Sequence, residues 1–180
     1  CAEKGKLRVD LGALAGGGPI TFTVDYRVRG ATSLLFADSG ATTPERDPVR
    51  THMAFTDSEP KRGHEWLVQK DDPADPALFA VTLTVPSDEE VVANGERLSD
   101  QPVAGGHRVS YAIDVPIATY LMAFAAGQLE QAGVTSASGV PLTVWYRRGL
   151  ATDLPLTLDA VSGALATFEA LLGPFPFSRY

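Results

Sequence analysis

Apolar and polar residues alternate along most of this chain. Ile20, Phe22, Val24, Tyr26 and Val28 are separated by Thr21, Thr23, Asp25 and Arg27. That period of two predicts a strand with one buried and one wet face. Lys6-Leu7-Arg8-Val9-Asp10-Leu11 alternates in the same way, and Gly16-Gly17-Gly18-Pro19 predicts the turn between these two strands. Phe79, Val81, Leu83 and Val85 form a third set, stopped by Pro86. Val91-Val92-Ala93 leads into Asn94-Gly95, a strong hairpin signal. Val109, Tyr111, Ile113 and Val115 follow, with Pro116 expected to end the strand. The apolar run Tyr120–Ala126 predicts a buried strand that Gly127-Gln128-Leu129-Glu130 carries outward, and Val140, Leu142, Val144 and Tyr146 predict another.

At Asp153 the period changes. Leu154, Leu158, Val161, Leu165, Phe168 and Leu172 recur at spacings of four and three, which predicts an amphipathic helix. Asp153 or Thr152 suits its N-cap and Pro155 its first turn, and Gly173-Pro174 ends it. The expected fold class is therefore all-β: an antiparallel β-sandwich or saddle-like domain, followed by one C-terminal α-helix that begins a second domain. The boundary falls near residue 152. The helix's apolar stripe is expected to pack poorly within the chain and to leave an exposed patch.

Composition narrows the chemistry. With 180 residues there is room for one good core or a domain and the start of another. A net charge of -7 argues against nucleic-acid binding, which needs clustered Lys and Arg; adjacent basic residues occur only as pairs such as Arg147-Arg148. No apolar run approaches the length needed to span a bilayer, so no membrane span is expected. The single cysteine, Cys1, excludes an internal disulfide and leaves the compartment open. Cys1 would suit a mature lipoprotein; the nearby strand pattern favours instead a chain that starts in mid-domain.

Candidate sites are sparse. His64-Glu65-Trp66-Leu67-Val68 begins like a His-Glu-x-x-His zinc helix, but Val68 stands where the second imidazole is required. His52 and His107 lie on predicted strands and read as rim histidines. Ser39 and Ser138 lack a nucleophile elbow, and Gly16–Gly18 precedes a strand and not a phosphate-binding helix. Asp57, Glu59, Asp71, Asp72 and Asp75 are interleaved with prolines, the pattern of turn-forming acids on a solvated edge. The segment Gly40–Pro48 reads as an acidic surface loop. A sugar-binding sandwich would show a row of exposed aromatics, for which Trp145 is the only candidate.

Taken in order, several segments resemble the aminopeptidase N family of zinc metallopeptidases (gluzincin type). Thr56-Asp57-Ser58-Glu59-Pro60 resembles the family's Thr-Gln-x-Glu-Pro. Trp66–Pro73 resembles its Trp-(Leu/Phe)-Pro-Cys-x-Asp-x-Pro turn, with Val68-Gln69 in place of Pro-Cys. Phe79 to Thr84-Val85-Pro86, Ala93-Asn94-Gly95 and Thr119–Gly127 match further segments of the β domain. Leu172–Tyr180 is similar to the sequence that opens the catalytic domain.

The resemblance implies that residues 1–151 are an amino-terminal β domain, truncated at its start, and that 152–180 are the first helix and loop of a catalytic domain absent here. It implies a parent zinc metallo-aminopeptidase acting on peptides, with this fragment inactive alone, since the zinc motif would lie beyond residue 180. No catalytic and no metal-ligating residue is expected in the chain. The expected partners are its own catalytic domain and, in the full-length protein, a peptide substrate. Asp57 stands where the family has the glutamine that holds the substrate's amino group, so Asp57 and Glu59 are the expected substrate-binding residues. The alternative, favoured by Asp57 and the missing Pro-Cys, is a non-catalytic β-sandwich used for binding in a peptidase-like protein that has lost activity.

Overall fold

The computed structural model describes residues 2–3, 6–7, 9–10, 18–37, 52–150 and 153–180. Cys1, Arg8, Leu11, Gly16-Gly17, Ser39, the loop at 40–48, Thr152 and the junction at 151–152 lie outside the described residues. In chain order the strands are β1 (Ala2–Glu3), β2 (Lys6–Leu7), β3 (Leu34–Ala37), β4 (Met53–Thr56), β5 (Ala77–Val85), β6 (Glu90–Ala93), β7 (Glu96–Val103), β8 (Gly106–Ile117), β9 (Phe124–Gly127), β10 (Leu129–Thr135) and β11 (Pro141–Arg147). One helix, α1 (Leu154–Leu172), follows. All the pairings among the described residues are antiparallel, so the fold is all-β with a C-terminal helix.

Two sheets form the body. One has the order β3-β4-β9-β6 and the other β5-β8-β7; β10-β11 and β1-β2 are separate ribbons. Alternation along β8 turns Val109, Tyr111 and Ile113 inward, at 0%, 2% and 9% exposure. Val109 and Tyr111 meet Val91 of β6 and Ala126 of β9 from the facing sheet, and the Tyr111 hydroxyl donates to the Val91 carbonyl at 2.9 Å. A second cluster, Trp66, Phe79, Ile113, Ile117 and Met122, closes the other end of the core. Burial of these apolar faces supplies the main favourable term for joining the sheets.

Four predicted elements differ in the structure. Residues 20–28 make no ladder, and Ile20, Phe22 and Tyr26 are 47%, 57% and 49% exposed. Asn94-Gly95 is not a hairpin. It carries the chain from β6 in one sheet to β7 in the other, while Asn94 Oδ1 accepts from the Ala123 amide at 2.6 Å. The hairpin is Ala104-Gly105, which joins β7 to β8. Pro116 does not end β8. It lies within the irregularity between the Ala77↔Ile117 and Phe79↔Ile113 pairs, where a residue without an N–H is tolerated. The run at 120–126 divides into a 3₁₀ turn, Thr119–Leu121, and the short strand β9.

Helix α1 has its predicted ends. Asp153 Oδ1 accepts from the Leu156 amide at 3.1 Å, Pro155 sits in the first turn, and Gly173 closes the helix at φ 98°. Leu158 and Leu165 are buried, and the helix lies against β10 and β11. The predicted stripe is thus largely partnered within the chain, with Leu154 and Val161 half-buried and Phe168 and Leu172 exposed; Leu156 and Leu171, off the stripe, are exposed as well. Contrary to the expectation of no membrane span, the helix's 19 residues, at a mean hydropathy of 1.2, are long and apolar enough to cross a membrane by length and composition. Asp159 and Glu169 interrupt it, and its two buried leucines are turned toward protein.

Gly95 tests the crossover between the sheets. Its φ is +82°, and a Cβ there would stand 2.0 Å from the Ala112 carbonyl oxygen. Gly139, at φ +90°, has nothing within 4 Å. Gly139→Ala is expected to lower stability by about 1–2 kcal/mol, the left-handed backbone term alone, and Gly95→Ala by clearly more. Urea unfolding of both variants checks this, and the reverse order would contradict the close packing of the crossover under β8.

Candidate functional site

The turn after β4 is built around Trp66. Its indole is buried, edge-on to Phe124 at 5.4 Å and to Phe79 at 6.5 Å, and its Nε1–H donates to Ser58 Oγ at 3.0 Å. A buried indole needs such a partner, so Ser58 is drawn inward (5% exposed) and its neighbours Asp57 and Glu59 face outward. The Tyr26 hydroxyl donates to the Trp66 carbonyl at 3.1 Å, which ties residues 20–28 to the same turn.

Ser33 holds the turn from the opposite side and is completely buried. Its carbonyl accepts from the Asp57 amide at 2.9 Å, and its hydroxyl donates to the Arg62 carbonyl at 2.8 Å. The Glu65 carboxylate accepts from the Thr32 amide (2.6 Å), the Ser33 amide (3.0 Å) and the Thr32 hydroxyl (3.0 Å). The Thr32 amide bond is the largest cause holding the Glu65 carboxyl below its ordinary pKa, with the Thr32 hydroxyl and Ser33 adding to it.

Asp57 and Glu59, the two expected substrate-binding residues, thus stand on one turn whose backbone is pinned at both ends. The Asp57 carboxylate is 53% exposed and pairs with Arg62 Nη2 at 3.1 Å. Arg62 Nε donates to the Glu59 carbonyl at 2.9 Å, and the Arg62 amide to the Ser58 carbonyl at 2.8 Å. Sequence reasoning misses Arg62 and Ser33. Arg62 has a local signal, a cation five residues after an acid in one turn; Ser33 lies on a distant segment and has none.

The remaining acids have other tasks. Asp71 Oδ2 receives the His64 amide and lies 2.8 Å from His64 Nδ1. Lys70 pairs with Asp75 at 2.8 Å, and Asp72 accepts from the Ala74 amide at 3.1 Å, a turn role. His107 sits on β8 as predicted, between Asp100 Oδ1 (2.7 Å) and the Glu89 carbonyl (2.8 Å), contacts that raise its pKa in that order. His52 lies just before β4 and not within a strand. The Ser138 hydroxyl faces Ser136 Oγ at 2.9 Å.

The described residues do not fit a zinc centre. His64-Glu65 lies in a 3₁₀ turn, Gly63–Glu65, and not on a longer helix. His64 Nδ1 is engaged by Asp71, and no group of three or more His, Cys, Asp or Glu suited to a metal occurs among the described residues.

A second feature lies at the C-terminal segment. Tyr180 bonds to β11 in both directions, N to the Pro141 carbonyl and O to the Thr143 amide, each at 2.9 Å. Glu96 accepts from Arg179 Nη2 at 2.6 Å and from the Ser178 hydroxyl. These bonds, Arg179 first, hold the Glu96 carboxyl below its ordinary range. A cleft of about 270 Å³ lies alongside, lined in part by Ile113, Ile117, Phe175 and Phe177.

No family profile matches the chain. It is 36% identical over 91 residues to the puromycin-sensitive aminopeptidase of Caenorhabditis elegans, covering 49% of this chain and 10% of that protein. It is 25% identical over 139 residues to aminopeptidase M1 of Arabidopsis thaliana, covering 77% of this chain and 16% of that one. Among solved structures, the M1 zinc metallopeptidase of Deinococcus radiodurans superposes with a TM-score of 0.63 at 25% identity, over 71% of this chain and 30% of that one. A variant of that enzyme bound to a Tyr-Ser-Ala substrate gives a TM-score of 0.64 at 24% identity, over 74% of this chain and 33% of that one. The chain therefore spans only a small part of these relatives.

In sequence and fold the chain is similar to the amino-terminal domain of the aminopeptidase N (M1) family of zinc metallopeptidases.

The Glu65 clamp gives a pH prediction. A carboxyl with a lowered folded pKa stabilises above the unfolded value, about 4.3, and loses that contribution as pH falls through the folded value. Thr32 and Ser33 amide protection is expected to hold from neutral pH to about 4.3 and to fall below it. Glu65→Gln should already show reduced protection at neutral pH in amide exchange, and unchanged protection would contradict the clamp.

Proposed function

We propose that this chain is the non-catalytic amino-terminal part of a zinc-dependent aminopeptidase-like metallopeptidase. Residues 1–151 form its β domain and 152–180 open the catalytic domain. Asp57, with Glu59 beside it, contributes to the pocket that receives the substrate's free amino end. The observation that carries this reading is the pinned turn at 57–66. Ser58 and Trp66 face the core, Ser33 and Glu65 fix the backbone, and the Asp57 carboxylate is left exposed.

A rigidly held carboxylate suits an ammonium for two reasons. The charge-assisted hydrogen bond is stronger than a neutral one, and a preorganised acceptor loses little entropy on binding. The relatives are zinc enzymes, but the described residues of this chain form no zinc site. The chain's part in the reaction is therefore binding and orientation. An anchor for the amino end sets the register of the peptide, which directs removal to one terminus. The exposed face of α1 (Leu156, Phe168, Leu171 and Leu172) and the Glu96-held segment at 173–180 support a role in packing on a catalytic domain.

In the complete polypeptide, Asp57→Asn is expected to raise KM for L-leucine 4-nitroanilide by about ten-fold or more, since a hydrogen bond to a charged group contributes about 1.5–3 kcal/mol. kcat should change less. The 180-residue chain alone should hydrolyse nothing. A folded complete polypeptide without any turnover would favour instead a binding domain in a peptidase-like protein that has lost its chemistry.

A further inference from the structure

We propose that Arg62 is a resident occupant of the Asp57 ammonium seat, so that a substrate's amino end is taken up by exchange with the guanidinium. This rests on the reading of Asp57 as that seat. Three contacts carry it. Arg62 Nη2 lies 3.1 Å from Asp57 Oδ2. Arg62 Nε donates to the Glu59 carbonyl at 2.9 Å, and the Arg62 amide donates to the Ser58 carbonyl at 2.8 Å.

The guanidinium is thereby anchored to the same turn that carries the carboxylate. Many surface arginines sample several positions, and holding one of them against an acid loses side-chain entropy. Here the anchor at Glu59 has already taken up much of that loss, so the pair forms at little further cost. The backbone of Asp57 is fixed too, because its amide is bonded to the buried Ser33. The two side chains therefore start from neighbouring, anchored points and are paired before any substrate arrives.

An incoming ammonium and the guanidinium are both hydrogen-bond-donating cations, and they compete for the lone pairs of one carboxylate. The guanidinium is the more weakly hydrated, and its fork suits a carboxylate. It is not sealed in place: the Arg62 side chain is 35% exposed and Asp57 53%. The Nη2 end can swing into water while Nε keeps its hold on the Glu59 carbonyl. No proton need move, since Asp57 stays ionised and one cation replaces another. Arg62 would therefore weaken amino-end binding by the strength of the pair it forms, and would discriminate against ligands without a full positive charge at that end.

The test is a set of KM and kcat measurements on the complete polypeptide with L-leucine 4-nitroanilide. Arg62→Gln removes the competing charge. KM is expected to fall about two- to five-fold, the range set by an exposed ion pair, with kcat unchanged, while Arg62→Lys, which keeps the charge but loses the Nε anchor, gives a KM between the two. A loss of turn structure would not lower KM. Unchanged or raised KM in Arg62→Gln, alongside a raised KM in Asp57→Asn, would overturn the proposal, leaving Arg62 as a structural brace or a co-ligand. An unchanged KM in Asp57→Asn would instead remove the seat itself. Should Arg62→Gln fail to fold, the unsubstituted 180-residue chain is titrated with L-leucinamide by NMR. Arg62 side-chain signals moving with the Asp57 carboxyl at one midpoint support exchange, and Asp57 moving without Arg62 contradicts it.

Discussion

Trp66 is the constraint on which the site depends. Its ring fills the end of the core between the sheets, against Phe79 of β5 and Phe124 of β9. A large apolar surface buried there fixes the ring, and the ring fixes the turn, because the indole N–H requires an acceptor and finds Ser58. In an extended stretch, adjacent side chains turn opposite ways. Drawing Ser58 inward thus sends Asp57 and Glu59 outward. A packing requirement in the core in this way becomes the placement of two carboxylates at the surface.

The polar groups of the turn complete what Trp66 begins. Ser33, Thr32 and Glu65 exchange hydrogen bonds with one another and with residues 57–62. The strands supply rigidity from two directions, with β4 feeding into Asp57 and β3 beginning directly after Ser33. Recognition built on a loop is usually less exact than recognition on a strand or helix. Here the loop gains its order from a buried serine, a buried indole and a chelating carboxylate. The ion pair with Arg62 sits at the wet end of this arrangement and has no part in the core.

Much of the framework was legible in the alternation of residues. β5, β8 and β11 follow the period of two, and α1 shows its cap, first-turn proline and terminal glycine in the sequence. Where the reading failed, it lacked a partner and not a pattern. Residues 20–28 alternate well, but alternation does not say which strand will pair with them, and they meet the body through Tyr26 and Val28 without joining a sheet. Asn94-Gly95 has hairpin chemistry and uses it to change sheets, because Gly95 must pass beneath β8 where no side chain fits. For the proposed site, Asp57 and Glu59 are named from the family resemblance alone. The Ser33 and Thr32 contacts were not legible, since nothing near them in sequence points to residues 57–65.

The central claim is that the Asp57 turn forms one wall of the pocket for a peptide's amino end. It is tested most directly by a crystal structure of the complete polypeptide with a bound, uncleaved tripeptide. The account predicts the peptide's amino nitrogen within hydrogen-bonding reach of the Asp57 carboxylate, about 2.7–3.2 Å, on a turn still anchored by Trp66. A peptide bound with its amino end against other residues, and Asp57 facing solvent, would contradict it.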